Sequence, residues 1–249
     1  MEFKRSVLGA ALIGAAAFSG SAMAGVTGNV GAVSEYMFRG VSQGSGAAIQ
    51  GGIDYAHDSG FYVGLWGSNI DWGTGHAETD VYGGYATKFG DIGLDVGAIY
   101  YYYAEYKEDA YGAAGLNPNT FEGYVKVSYG PVALQYYYSP KYFGGKEADG
   151  DNLKNSYIAL VGAFPITDSI SLNVSVGDTL SSDEFYVTKS DGSLKKSYID
   201  YNLGVSKTID ETLSASFSII GTNLKVDNGT DVVTDKPKFV VGIKKTFAL

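Results

Sequence analysis

Side chains able to do acid–base or nucleophilic chemistry are few and scattered in this chain. It has two histidines, His57 and His76, and no cysteine. A hydrolase would need a serine or threonine nucleophile held beside a base. His57 falls in the short stretch "HDSG" (57–60) and His76 in a longer polar connection, neither in a nucleophile-like setting. These residues argue against an enzyme. "EADGDN" (147–152) places Asp149 and Asp151 at calcium-loop spacing. The distal Glu and fixed Gly of such a loop are missing, so it reads as an acidic, solvated loop. No metal and no cofactor is expected.

The remaining charges are more regular. Glu35, Arg39, Gln50, Asp54, Glu78, Asp80, Asp95, Glu122, Lys126, Asp200, Asn202, Lys238 and Lys244 share one parity within segments whose alternate residues are apolar. Such residues would line a polar surface, either as structural ion pairs or as a field acting on a solute. Most acids fall in one part of the chain, and the bases at the first segment's end and in the last. An acidic wall facing a basic one is the expectation, a transverse field of the kind that orients solutes in narrow pores.

Period-2 alternation positions these residues. In "SISLNVSVG", Ile170, Leu172, Val174 and Val176 alternate with Ser171, Asn173 and Ser175. "TFEGYVKVSYG" sets Phe121, Val125, Val127 and Tyr129 against Glu122, Tyr124, Lys126 and Ser128. Helical spacing is absent after residue 24. About 12 strands satisfy the criterion: 26–38, 47–57, 61–71, 77–89, 92–104, 120–129, 132–142, 154–164, 169–179, 196–207, 212–222 and 237–249. Their connections alternate between short and long. The short ones are 57–60, 90–91, 130–131, 165–169 and 207–211; the long ones are 40–46, 72–76, 105–119, 143–153, 180–195 and 223–236.

A soluble β-sandwich alternates too, but has no reason to sort its loops by length, and its outer face is polar. Bacterial transmembrane barrels have short periplasmic turns, long external loops, an even strand number and both termini on the periplasmic side. The fold class expected is therefore all-β: a transmembrane antiparallel up-and-down barrel over residues 25–249.

Aromatic residues gather at strand ends, as interfacial girdles require. Tyr36, Phe38, Tyr100, Tyr102, Tyr136, Tyr138 and Phe143 lie near long loops; Tyr55, Phe61, Tyr85, Phe89, Tyr129 and Phe247 lie near short turns. In this reading Tyr36 and Phe38 continue the first strand and face lipid. Glu35 and Arg39 then face inward near the external rim, with Lys238, Asp54 and Gln50 as candidate partners. The final stretch "KFVVGIKKTFAL" resembles the terminal strand by which barrel-assembly machinery recognises its clients, although it ends in Leu249 with Phe247 two residues earlier.

Residues 1–24 read as a cleaved signal peptide. Lys4 and Arg5 precede an apolar run from Val7 to Gly20, and Ala22-Met23-Ala24 forms a small-x-small cleavage site. Removing Glu2, Lys4 and Arg5 leaves 16 basic and 26 acidic residues, a net charge of −10 that argues against nucleic acid.

"SEYMFRGVSQ" (Ser34 to Gln43), followed by "AAIQGGIDY" and "SGFYVGLWGSN", resembles the N-terminal signature of the TorF-type porins of proteobacteria. The matching positions are Ser34, Glu35, Tyr36, Phe38, Arg39, Gly40 and Ser42, then Gln50, Gly51, Gly52, Asp54 and Tyr55. Glu35 stands where that pattern has Asp, and Ala47 where Pro is common. The resemblance implies an outer-membrane barrel with porin function in a Gram-negative bacterium, and no particular substrate. The function expected is passive diffusion of small hydrophilic solutes through a narrow polar lumen. The alternative is a closed structural or adhesion barrel whose external loops carry the function. Expected partners are outer-membrane lipid, lipopolysaccharide, the assembly machinery and small solutes. An inward fold of loop 105–119 is one way to narrow such a lumen.

Overall fold

A computed structural model describes residues 25–44, 46–72, 75–104, 117–187, 194–224 and 236–249. The expected signal peptide and most of loop 105–119 lie outside the described residues, as do the acidic stretches 105–109 and 227–235. Twelve strands close into one antiparallel barrel: β1 (Gly25–Val33), β4 (Ala48–Ala56), β5 (Phe61–Asn69), β6 (Ala77–Phe89), β7 (Ile92–Ala104), β8 (Thr120–Tyr129), β9 (Val132–Ser139), β10 (Asn155–Pro165), β11 (Ile170–Ser181), β14 (Ser197–Thr208), β15 (Leu213–Thr222) and β16 (Lys238–Ala248). Each pairs with its neighbour in sequence, and β1 closes the ring against β16, with Thr27 opposite Ala248 and Val33 opposite Gly242. Two small hairpins stand apart from the barrel sheet: β2 (Met37–Phe38) with β3 (Val41–Ser42), and β12 (Tyr186–Val187) with β13 (Leu194–Lys195).

The alternation in sequence becomes an inside and an outside. Ile53, Leu65, Val81, Val96, Leu134, Leu160, Leu203 and Val241 are all exposed, between 46 and 56 %. Their neighbours one residue away point inward. A continuous apolar outer surface is the wrong exterior for water and the right one for lipid. Tyr55, Tyr85, Phe89, Tyr129 and Phe247 lie outward towards the short-turn end, and Tyr100, Tyr102, Tyr136 and Tyr138 outward towards the long-loop end.

Two of the short turns are two-residue hairpins, Gly90-Asp91 and Gly130-Pro131. Each opens on a glycine with positive φ (62° and 55°), as a type II′ turn requires. The abundance of Gly and Tyr, 35 and 21 residues, has a packing cause. Tyrosine rings lie flat over glycines on adjacent strands, which leaves no room for a β-carbon: one added at Gly64 would sit 2.5 Å from the Tyr82 ring, and at Gly97 2.5 Å from the Tyr124 hydroxyl. This is aromatic covering of a glycine that would otherwise weaken its strand. At Gly177 the added atom would fall 2.3 Å from the Tyr157 hydroxyl. Gly177→Val should therefore displace Tyr157 and lower barrel stability by about 1–3 kcal/mol in denaturant titrations. An unchanged midpoint would contradict this packing.

Candidate functional site: a hairpin in the lumen

β1 stops at Val33, five residues short of the expected strand end at Phe38. The next residues leave the wall and fold into the barrel as the hairpin β2–β3. Its tip is Arg39-Gly40, both with positive φ (45° and 78°), the φ pattern of a type I′ turn. For Arg39 that conformation costs about 1–3 kcal/mol, which surrounding contacts must offset. Gly40 is required on two counts. Its φ favours glycine, and a β-carbon there would meet Asp200 Cβ and the Gly221 carbonyl oxygen, each at 2.7 Å.

The hairpin touches the barrel wall nearly all the way round. Arg39 crosses the lumen from the β1 side to β8. It donates to both carboxylate oxygens of Glu122, Nη1 to Oε1 at 3.0 Å and Nη2 to Oε2 at 2.7 Å. Its guanidinium carbon lies 4.2 Å from the centre of the Tyr157 ring, 5.3 Å from Tyr137 and 4.8 Å from Phe38. Tyr36 donates to Glu78 on β6 at 2.6 Å and packs edge-on against Trp66 of β5 at 5.6 Å. Met37 packs with Ile220 of β15 and Val240 of β16. The Gln43 carbonyl accepts from the Asp71 amide at 2.9 Å, and Ser42 donates to Glu35. Above the hairpin, Trp72, Tyr103, Phe143 and Tyr142 join its aromatic cluster, continuing to Tyr186 and Tyr198. Below it, a cavity of about 1080 Å³ reaches from residues 35–40 down to the turns at 56–61, 86–93 and 128–133. The lumen thus forms a vestibule at the short-turn end, with charged side chains on its wall, capped by the hairpin.

All the lumen candidates other than the hairpin's Glu35 and Arg39 lie on inward positions of the register. Gln50, Asp54, Asp80, Asp95, Lys126, Asp200, Asn202 and Lys244 line the cavity. Glu78 and Glu122 are buried among the groups that hold the hairpin, and Lys238 faces inward at the start of β16. Four expectations need correction. Tyr36 and Phe38 are not lipid-facing anchors, because the chain turns inward before reaching them; Tyr36 is 8 % exposed. Phe143 is likewise interior, against Trp72 and Tyr103. The partner of Arg39 is Glu122, and not one of the candidates Lys238, Asp54 and Gln50. The simple division into acidic and basic walls also fails, since Arg39 reaches the acidic side and Lys126 pairs there with Asp95 at 3.3 Å.

The remaining chemical candidates have local roles. His57 shares a hydrogen bond with Ser59 at 2.7 Å inside its own turn, and His76 lies 3.8 Å from Asp71 at the surface. In the 147–152 loop, Asp149 accepts from the Asp151 amide at 3.0 Å, and Glu147 faces Lys154 at 3.6 Å. Asp183 ties that loop to the next by accepting from the Ala148 amide at 2.9 Å. Such backbone donors hold its carboxyl below the usual range.

The inward tyrosines Tyr101, Tyr137 and Tyr157 went unread in the sequence as site residues. Their signal was present, because in runs such as "IYYYYA" and "QYYYS" alternation sends every second ring inside.

Comparison with curated protein sequences found no match. Among solved structures, a NanC porin aligns over 90 % of this chain and 100 % of its own, with a TM-score of 0.58 and 12 % identity. A KdgM porin aligns over 89 % and 99 %, with a TM-score of 0.52 and 10 % identity. At such identities the likeness is one of fold, that of an outer-membrane porin barrel. A family model described as a bacterial protein of unknown function (Gcw_chp) matches residues 17–247, and the chain belongs to that family.

Proposed function

We propose that the protein is a porin-like channel of the bacterial outer membrane that passes small hydrophilic solutes and rests with its lumen closed by residues 34–43. One observation carries this reading. A vestibule lined in part by charged side chains is capped by a hairpin that is not part of the barrel sheet. Small barrels can fill their interiors with wall side chains alone, and a barrel built only as a scaffold would have no use for a vestibule ending at a plug. The short turns would face the periplasm and the long loops the lipopolysaccharide, following the usual barrel orientation. The TorF-type resemblance and the fold shared with porins support the same reading.

A closed structural barrel is the second reading, favoured by the burial of the plug on all sides. Liposome swelling separates the two. Val33 pairs with Ala48 across adjacent strands, so deleting residues 35–42 still leaves a loop able to join β1 to β4. The deletion variant should keep heat-modifiable gel migration, the mark of a folded barrel, and admit small neutral sugars that the intact protein admits slowly. A folded deletion variant impermeable to every solute would sink the channel reading.

A further inference from the structure

We propose that the seat of Arg39 is a binding site for guanidinium-type organic cations, and that such a solute releases the hairpin by taking the place of Arg39. This rests on the channel reading and names the solute class it favours.

Four observations converge on the seat. First, its recognition groups belong to the wall. Glu122 is on β8, Tyr101 on β7, Tyr137 on β9 and Tyr157 on β10, so they stay in place when the hairpin moves. Second, they match a planar cation. Glu122 accepts in the two-pronged geometry that suits guanidinium, the rings of Tyr137 and Tyr157 lie within cation–π range, and Tyr101 donates to Glu122 Oε2 at 3.2 Å. Third, the surroundings are rich in carboxyl groups whose oxygens are not all satisfied. Asp80 and Asp200 are 6 % and 4 % exposed, and Asp80 Oδ1 and Asp200 Oδ2 have no hydrogen-bond partner. Asp80 sits opposite Tyr101 in the register, and Asp200 accepts from Tyr157 at 3.3 Å. The nearby Lys126 is engaged by Asp95. Fourth, the vestibule reaches this place, with Arg39, Asp80, Tyr101, Tyr137, Tyr157 and Asp200 on its lining.

Withdrawing Arg39 would leave Glu122 beside the carboxyl groups of Asp80 and Asp200 with no cation among them. Even when water reaches Glu122 on opening, the two-pronged ion pair and both ring contacts are forfeited. Opening is therefore easiest when another cation arrives as Arg39 leaves. The positive φ of Arg39 weakens the tethered occupant relative to a free one, because a free cation carries no backbone strain. In this view Arg39 is a tethered copy of the solute, and the plug is displaced by competition.

The test uses full-length protein in nanodiscs and bilayers, with methylguanidinium chloride as probe and sodium chloride at matched ionic strength as control. Arg39→Ala should bind methylguanidinium at least about tenfold more tightly than Arg39→Ala/Glu122→Gln, since a charge-assisted pair is lost. Arg39→Ala/Tyr157→Leu should lose several-fold. In the intact protein, methylguanidinium should raise the open fraction where sodium does not. Heat-modifiable migration checks that each variant is folded. Equal affinity with and without Glu122 would overturn the site. Binding without a rise in open fraction, while the 35–42 deletion conducts, would overturn the release step. A deletion variant that never conducts would instead remove the channel reading, leaving the binding comparison to be judged separately.

Discussion

Replacing Arg39 by alanine should turn a mostly closed channel into a mostly open one, lowering the closed-to-open ratio by about two orders of magnitude or more. Arg39 and Glu122 are 5 % and 0 % exposed and bonded through both carboxylate oxygens. Removing one member of such a pair costs about 3–5 kcal/mol, because the survivor is left charged and dry. That cost falls on the closed state alone, since opening lets water or a solute reach Glu122. Glu122→Ala should act in the same direction, stranding the guanidinium between Tyr137 and Tyr157. The double variant Arg39→Leu/Glu122→Leu is the informative control. Apolar replacement of both partners of a buried pair is often neutral or stabilising, so it should close again. Flux of a small sugar into proteoliposomes reads all three. Singles as closed as the wild type would show that the pair does not hold the plug.

Leu203→Arg should lower the stability of the folded barrel by about 2–4 kcal/mol, whereas Asn202→Arg should change it by less than about 1 kcal/mol. The two residues are adjacent near the middle of β14. Leu203 is 51 % exposed on the outer face, and Asn202 lines the vestibule. A guanidinium at the depth of Leu203 would sit in hydrocarbon; one residue earlier it would sit in a polar cavity. Reversible urea unfolding from lipid measures both. Equal losses would mean that the inside and outside of this strand are misassigned.

Much of the barrel is legible in the sequence because a two-residue period with one lipid face is a strong constraint. Strands 77–89, 92–104 and 120–129 stand where alternation places them. The lumen parity of residues such as Asp95, Lys126 and Asp200 follows from the same rule. The segment after Val33 is different. Glu35, Tyr36, Phe38 and Arg39 satisfy the alternation, so periodicity extends the strand through them. What overrides it is tertiary: a carboxylate 83 positions away at Glu122, a ring at Tyr157, and a two-residue turn that gives Arg39 an uncommon φ. Arg39-Gly40 lacks the Asn-Gly or Asp-Gly signature of such turns, and nothing local announces it. The inward tyrosines are an intermediate case, readable from parity once the strands are fixed, yet easily merged with the girdle because the same residue type serves both faces.

Residues 34–43 are proposed to hold the lumen closed, beneath the aromatic side chains packed above them. Single-channel recording in planar bilayers, comparing the intact protein with the variant lacking residues 35–42, tests it most directly. The intact protein should show long closures broken by openings, and the variant steady conductance. An intact protein that is steadily open, at the same conductance as the deletion variant, would contradict it.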